Sequence, residues 1–329
     1  MLISRTPFRI SFLGGGTDFE EYFKTYGGSV LSTTIDKYCY ITLRRLPSMF
    51  AYKNQFTYSK IERFNDPDEV EHPVVREALK YIKADRLQIN YDADLPARSG
   101  LGTSSAFAVG LLNALHCYKN DDVDKLALAK EAIYLEHELC REAGGMQDQL
   151  AVAYGGFNRI NFSSNGYEVH PVDISVTRRE DFSKHLMLFF TGFTHLSDVI
   201  AQDQTKNISA RLSQLHQMKA LVDEGERILR GTGNILEFGE LLHKNWMLKR
   251  TLSNKIATDF VDDAYDSALE AGAVGGKLLG AGGGGYMLFF VEPDKRESVK
   301  KALSNLLYEP FKFEHEGTRI FYMGETDDE

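Results

Sequence analysis

Leu95-Pro96-Ala97-Arg98-Ser99-Gly100-Leu101-Gly102-Thr103-Ser104-Ser105-Ala106 runs from a short turn through two closely spaced glycines into small hydroxyl residues and then an apolar stretch. Residues 86–95 before it alternate enough for a strand, and apolar residues recur at helical spacing over Ser104–Tyr118 after it. A strand, a glycine turn and a helix in that order make a phosphate cradle. Glycines let the backbone approach an anion with no Cβ in the way, the first amides of a helix lack intrahelical partners, and the helix dipole favours negative charge there. The GK[ST] ending of a Walker loop is missing, so the turn is of another kind. On spacing alone the same residues also suit a plain capped helix start.

With 329 residues, the chain exceeds the size at which one hydrophobic core stops growing, so two domains or one large one are expected. A formal charge of -9 argues against a general nucleic-acid or anionic-membrane surface, while leaving room for positive charge at one phosphate site. Cys39, Cys117 and Cys140 lack metal-ligand spacing, and their odd number does not suit a disulfide framework. The start, Met1-Leu2-Ile3-Ser4-Arg5, lacks the layout of a secretory signal, and no apolar run approaches a membrane span. Together these predict a cytoplasmic protein.

Phe8–Leu13, Tyr38–Leu43, Tyr154–Phe162, Leu186–Thr191 and Gly285–Val291 read as strands, and Ser163-Ser164-Asn165-Gly166 as a turn. Helical spacing covers Asp122–Glu142, Val199–Leu229, Ile235–Leu248, Ile256–Ala271 and Lys295–Tyr308, with a strand-like Phe311–Tyr322 and a frayed acidic end at Glu325–Glu329. This mixed order predicts an α+β protein rather than a regularly alternating parallel sheet. Gly280-Ala281-Gly282-Gly283-Gly284-Gly285 satisfies GxGxxG, but the β-rich Tyr286–Val291 follows where a dinucleotide site needs a helix. The glycines are better read as a tight helix-to-strand connection.

Two further segments stand in order with the first: Thr6-Pro7-Phe8-Arg9-Ile10-Ser11-Phe12-Leu13-Gly14-Gly15-Gly16-Thr17-Asp18-Phe19 and Gly275-Gly276-Lys277-Leu278-Leu279-Gly280-Ala281-Gly282-Gly283-Gly284-Gly285-Tyr286. The three resemble the ordered motifs of the GHMP kinases, which include galactokinase, homoserine kinase, mevalonate kinase and phosphomevalonate kinase. The resemblance implies an α+β two-domain GHMP kinase fold with the active site between the domains. An N-terminal ATP-binding domain holding a left-handed βαβ unit would cover 1–180, and a ferredoxin-like C-terminal domain 181–329.

The resemblance also implies roles. Arg98, Ser99, Gly100, Leu101, Gly102, Thr103, Ser104 and Ser105 would hold the nucleotide phosphates. Glu136 and Asp148 stand twelve residues apart, in Tyr134-Leu135-Glu136-His137-Glu138-Leu139 and Gly144-Gly145-Met146-Gln147-Asp148-Gln149, and look like the galactokinase pair. There the helix glutamate binds magnesium and the later aspartate faces the acceptor hydroxyl, so Asp148 is the candidate base. Magnesium prefers hard oxygens and keeps waters, so Ser104 and Glu136 would suffice beside the phosphates, with Ser105 as the register alternative. Arg9 would meet charge on the transferring phosphoryl group. Gly15, Gly16, Thr17 and Asp18 would bind the substrate, as would Gly282 and Gly283, the closest approach of a last-motif loop that packs near the phosphate site. Without the resemblance, Ser104 is a helix cap, Glu136 a solvated helix carboxylate, Arg9 a surface ion-pair member and Asp18 an Asx turn.

The first motif departs from galactokinase, in which Gly-Glu-His-Thr-Asp would stand in place of Gly14-Gly15-Gly16-Thr17-Asp18. This version, with Tyr26-Gly27-Gly28-Ser29-Val30-Leu31 and Thr34-Ile35-Asp36-Lys37-Tyr38 after it, looks like the D-glycero-D-manno-heptose 7-phosphate kinases. ATP, Mg2+ and a small sugar phosphate are therefore the expected partners, with the anomeric hydroxyl as acceptor, and neither nucleic acid nor membrane is expected. Kinases of unphosphorylated fucose or a uronic acid share the style of the motif, and a non-catalytic sugar sensor is the alternative from another class. Arg5, Arg98, Lys249 and Arg250 are candidates for the acceptor's phosphate. The amphipathic helices between 199 and 250 could pair across a homodimer or pack within one chain.

Overall fold

A computed structural model describes residues 1–192 and 197–324. The chain begins β1 (Leu2–Leu13), α1 (Glu20–Tyr26), β2 (Gly28–Arg45), β3 (Asn54–Thr57), β4 (Ile61–Phe64), α2 (Pro73–Ile82) and β5 (Leu87–Ala93). It continues α3 (Thr103–Lys119), α4 (Lys125–Ile133), a π-helical turn (Tyr134–Leu139), α5 (Gln147–Tyr154), β6 (Phe157–Ser163), β7 (Gly166–Pro171), α6 (Val176–His185) and β8 (Leu186–Phe190). The remainder is α7 (Ser197–Asn207), α8 (Leu212–Arg230), α9 (Leu236–Lys249), α10 (Asp259–Glu270), β9 (Ala273–Leu278), β10 (Tyr286–Val291), α11 (Arg296–Ala302), β11 (Leu307–Glu309), β12 (Phe313–Glu314) and β13 (Arg319–Met323).

Helices and sheets are mixed as an α+β fold requires, in two sheets. The larger runs β13-β1-β2-β5-β3-β4, with β6, β7 and β12 joined through β2, and the smaller is the four-stranded β11-β8-β10-β9. The 18-residue β2 makes the larger sheet possible, since its first part pairs β6 and its last part pairs β5 while β1 lies along its other edge. The chain's last strands return to this sheet, β12 on β2 and β13 on β1. Sheet membership therefore does not divide at a single point in the sequence.

Helix α3 lies against β1 and β2 as a buried strut, with buried residues on all sides apart from Ser104 and its last turn. Phe12 of β1 joins the two sheets: its ring stacks on Phe157 at 5.3 Å and meets Phe182 and Phe238 edge-on at 5.5 and 5.7 Å. Phe182 in turn packs on Phe290 of the smaller sheet at 5.9 Å. Aromatic contacts of this kind stabilise beyond the area they bury, and they fix one sheet against the other.

Several elements differ from the sequence reading. The helix expected over Asp122–Glu142 is α4 followed by the π-helical turn, a geometry that places its side chains out of α-helical register. The stretch Val199–Leu229 is two helices split by a 3-10 turn at Ile208–Arg211, with the side chain of Val199 outside the described residues. The glycine loop 279–285 joins β9 to β10, so it is a strand-to-strand connection and not a helix-to-strand one. Gly275 and Gly276 had obscured β9; at Gly275 a Cβ would lie 2.1 Å from the carbonyl oxygen of Gly239, so α9 sits directly on that strand. The acidic end 325–329 lies outside the described residues.

Candidate active site

The glycine turn leaves β5 and opens α3 as its spacing predicts. Gly100 and Gly102 both take positive φ, +87° and +71°, and Gly102 is the N-cap of a helix with no side-chain cap. The capping alternative for Ser104 is thus not realised, and the first amides of α3 remain available to an anion. Gly100 also meets the last motif: a Cβ on it would stand 2.7 Å from the Leu279 carbonyl oxygen, and one on Gly280 would stand 2.5 Å from Gly100 Cα. Two glycine loops from distant parts of the chain touch because neither carries a side chain.

Around this contact a cleft of about 190 Å³ gathers most of the expected residues. Arg9, Gly15, Gly16, Asp18, Arg98, Gly100, Gly102, Thr103, Ser104, Ser105, Glu136, Asp148 and Gly282 line it. Four expected residues stand behind its wall. Thr17 braces the first loop by donating to the carbonyls of Gly14 and Ser29. Ser99 and Leu101 are fully buried, and Leu101 accepts from the Arg9 amide. Gly283 donates its N–H to Ile256 at 2.9 Å. Of the proposed phosphate-pocket cations, Lys249 and Arg98 line the cleft, whereas Arg5 lies over Tyr38 and Arg250 pairs with Asp262.

Arg9 is no surface residue, being 4% exposed. Its Nε and Nη2 donate to the two oxygens of Asp148 at 2.7 and 2.6 Å, and its Nη1 donates to the Gly100 carbonyl at 2.7 Å. The guanidinium fork therefore ties the first motif to both the phosphate turn and α5. Asp148 is the second residue of α5, a helix that the sequence reading did not mark out. The helix is eight residues long, and its interior Leu150, Ala151, Val152 and Ala153 are buried.

Three consecutive residues at the start of α5 each hold one acidic or basic partner. Beside Asp148 on Arg9, Gln147 Nε2 donates to Asp18 at 2.9 Å, and Gln149 Nε2 donates to Glu136 at 2.6 Å. Asp18 also accepts from the Gly16 amide at 2.8 Å, so the Asx-type turn is part of its environment but not all of it. Burial pushes the Asp18 carboxyl above the ordinary carboxylate range, against the pull of its hydrogen bonds.

Glu136 is 2% exposed and no solvated helix carboxylate. Ser104 Oγ donates to it at 3.0 Å, and Ser105 also bears on it. Burial pushes its carboxyl up to about 7, with the Gln149 and serine hydrogen bonds opposing. The unfolded value is near 4.5, so between these pH values the folded state binds the extra proton. That stabilisation is complete below the unfolded value and is lost as pH rises through about 7, a change on the order of 3 kcal/mol. We expect Glu136→Gln, without metal or nucleotide, to gain stability relative to the native chain as pH rises from 5 to 8; parallel denaturant-unfolding profiles for the two would contradict this.

Sequence reasoning missed Gln147, Gln149, Ser11, His137 and Lys277, all of which line the cleft. Lys277 donates to the Ser11 and Phe12 carbonyls at 2.9 and 2.8 Å, and Lys249 donates to those of Leu278 and Gly280. Burial, with Arg9 nearby, pushes the Lys249 ammonium down to about 7. For Gln147 and Gln149 the one signal available was that polar residues open a helix whose remainder is apolar. Among the described residues no three His, Cys, Asp or Glu side chains are grouped as metal ligands, and no helix is long and apolar enough to cross a membrane.

Residues 73–156 match the GHMP kinases N terminal domain, and residues 218–309 match the GHMP kinases C terminal. The chain is 30% identical to the D-glycero-alpha-D-manno-heptose 7-phosphate kinase of Campylobacter jejuni, over 96% of this chain and 97% of that protein. It is 29% identical to the L-fucokinase/L-fucose-1-P guanylyltransferase of Bacteroides fragilis, over 90% of this chain and 35% of that protein. The crystal structure of a D-glycero-D-manno-heptose 1-phosphate kinase from Bacteriodes thetaiotaomicron superimposes with a TM-score of 0.80 at 26% identity, covering 99% of this chain and 100% of that one. With the cleft joining all three motifs, these similarities show that the chain belongs to the GHMP kinase family and is an ATP-dependent sugar kinase.

Proposed function

We propose that the chain transfers the γ-phosphate of ATP to the anomeric hydroxyl of D-glycero-D-manno-heptose 7-phosphate, giving the 1,7-bisphosphate for nucleotide-activated heptose of a surface polysaccharide. The observation that carries this reading is full-length similarity to a kinase of that name, 30% identical over 96% of the chain. The cleft supports it by placing a carboxylate, an arginine fork and an open helix start side by side.

In this reading the free amides of α3 hold the transferring phosphate. Each Asp148 oxygen engaged by Arg9 keeps a second lone pair for the acceptor hydroxyl. The anomeric oxygen bonds to the γ-phosphorus, the bond to the β,γ-bridging oxygen breaks, ADP leaves, and the hydroxyl proton passes to Asp148. Arg9 meets charge that develops on the phosphoryl group.

Ser104 Oγ and Glu136 Oε1 are hard oxygens 3.0 Å apart, and the buried carboxylate gains from a cation beside it, so the pair fits magnesium shared with the phosphates. Magnesium bound there would neutralise phosphate charge. An adjacent sugar kinase activity, on free fucose, is favoured by the fucokinase relative.

The test is magnesium-dependent ADP release on a panel of D-glycero-D-manno-heptose 7-phosphate, free heptose, mannose, fucose, galactose and glucuronate. Turnover confined to the heptose phosphate is expected. A higher kcat/KM on a free sugar would keep the kinase and discard the substrate.

A further inference from the structure

Three glycines stand together in the first motif, and only two are required by the backbone. Gly14 and Gly16 take φ of +81° and +102°, and a Cβ on Gly14 would stand 2.0 Å from the Ser29 carbonyl oxygen. Gly15 has no positive φ, and its Cβ would meet nothing closer than Gln147 Nε2 at 3.5 Å and Ser11 Oγ at 3.7 Å, both ordinary contacts. A side chain would fit there without strain. The absence of one keeps open a part of the cleft whose walls are Ser11 and Gln147.

Both walls carry buried polar atoms without a partner among the described residues. Ser11 is 6% exposed and its Oγ makes no hydrogen bond. Gln147 is 9% exposed; its Nε2 is committed to Asp18, and its Oε1 makes none. The Asp18 carboxylate fixes which end of the amide is free, since only the nitrogen can donate to it. Lys277 and Gln147 anchor this wall, the first by its bonds to the Ser11 and Phe12 carbonyls. Buried groups left unsatisfied are costly, and beside a cleft a ligand can supply the missing bonds.

We propose that Ser11 Oγ, which borders the space that Gly15 leaves open, and Oε1 of Gln147, whose amide nitrogen borders the same space, form a subsite that reads hydroxyl groups of the acceptor sugar. The proposal rests on the reading of this cleft as the acceptor site. Gln147 Oε1 accepts only, so it selects a hydroxyl that donates, while the Ser11 hydroxyl can do either. A sugar without a hydroxyl at this place leaves both groups buried and unpaired, which is how such a pocket rejects a deoxy analogue strongly.

Ser11→Ala and Gly15→Val test it, the first removing only an atom that bonds nothing in the protein, the second filling the space. For each, kcat/KM for the best acceptor of the sugar panel, KM for ATP and the unfolding temperature are measured. The expected result for Ser11→Ala is a fall of about tenfold in acceptor kcat/KM, a KM for ATP within twofold, and an unfolding temperature equal to or above the native one. Gly15→Val should lower acceptor kcat/KM about a hundredfold with the same ATP constant. Acceptor kcat/KM within twofold of native for Ser11→Ala overturns the subsite, as does an equal change in the ATP constant or a lowered unfolding temperature, which would mark a structural role. If the native enzyme prefers another sugar, the heptose phosphate reading falls, and the same ratios on that sugar decide the subsite.

Discussion

Asp148→Asn is expected to lower kcat by about a thousandfold, the middle of the range for a positioned base, and to leave ATP affinity within twofold. The amide keeps the size of the side chain but cannot take a proton from the acceptor. It also turns an NH2 group toward Arg9, which in the native chain donates two charge-assisted bonds to the carboxylate, at 2.7 and 2.6 Å. Arg9 retains its bond to Gly100, so the phosphate turn keeps one of its ties. Asp148 is partly exposed, at 23% of its side chain, so the accompanying loss of stability should be about 1 to 3 kcal/mol, less than for a fully buried pair. Nucleotide titration separates the two effects: retained binding with lost turnover places Asp148 in the chemistry, whereas kcat within tenfold of native removes it.

The second large effect is expected at Gly145. A Cβ there would lie 1.9 Å from Asp18 Oδ2 and 2.4 Å from its Cγ, so Gly145→Ala must push the carboxylate aside. Asp18 is 1% exposed and held by the Gly16 amide and Gln147, so it cannot swing without giving up these bonds. Displacing it breaks those bonds inside the protein, a cost of about 1 to 3 kcal/mol for each group left unsatisfied. Acceptor kcat/KM should fall about a hundredfold, and the unfolding temperature by several degrees, while the ATP constant changes little. Native acceptor kinetics in this variant would show that Asp18 does not face the sugar.

What was legible in the sequence had a local cause. The phosphate turn and α3 could be read because glycine conformation and helix periodicity are properties of neighbouring residues, and positive φ at Gly100 and Gly102 is their direct expression. Helix α2 was overlooked despite Pro73 at its start and buried Val74, Val75, Ala78 and Leu79 along one face, which is a local signal left unused. Strand β9 was hidden by Gly275 and Gly276, whose reason is the close approach of α9 and appears only in three dimensions.

The site divides in the same way. Arg9, Glu136 and Asp148 were found through resemblance to known motifs, and the structure brings them to one cleft. Gln147, Gln149 and Ser11 stand within the motif segments, but no role followed for them from the resemblance. Their significance lies in burial and, for Gln147, in a partner more than a hundred residues away, Asp18, which no linear pattern displays. Lys277 stood inside the last motif with no role assigned, because its ties to Ser11 and Phe12 depend on two distant strands meeting.

The most direct test of the central claim is phosphorus-proton correlation NMR on the product formed from D-glycero-D-manno-heptose 7-phosphate, ATP and magnesium by the native enzyme. The account predicts a second sugar phosphorus signal coupled to the anomeric proton, appearing in step with ADP. ADP released with free phosphate only, or a new phosphate coupled to any other ring proton, would contradict it.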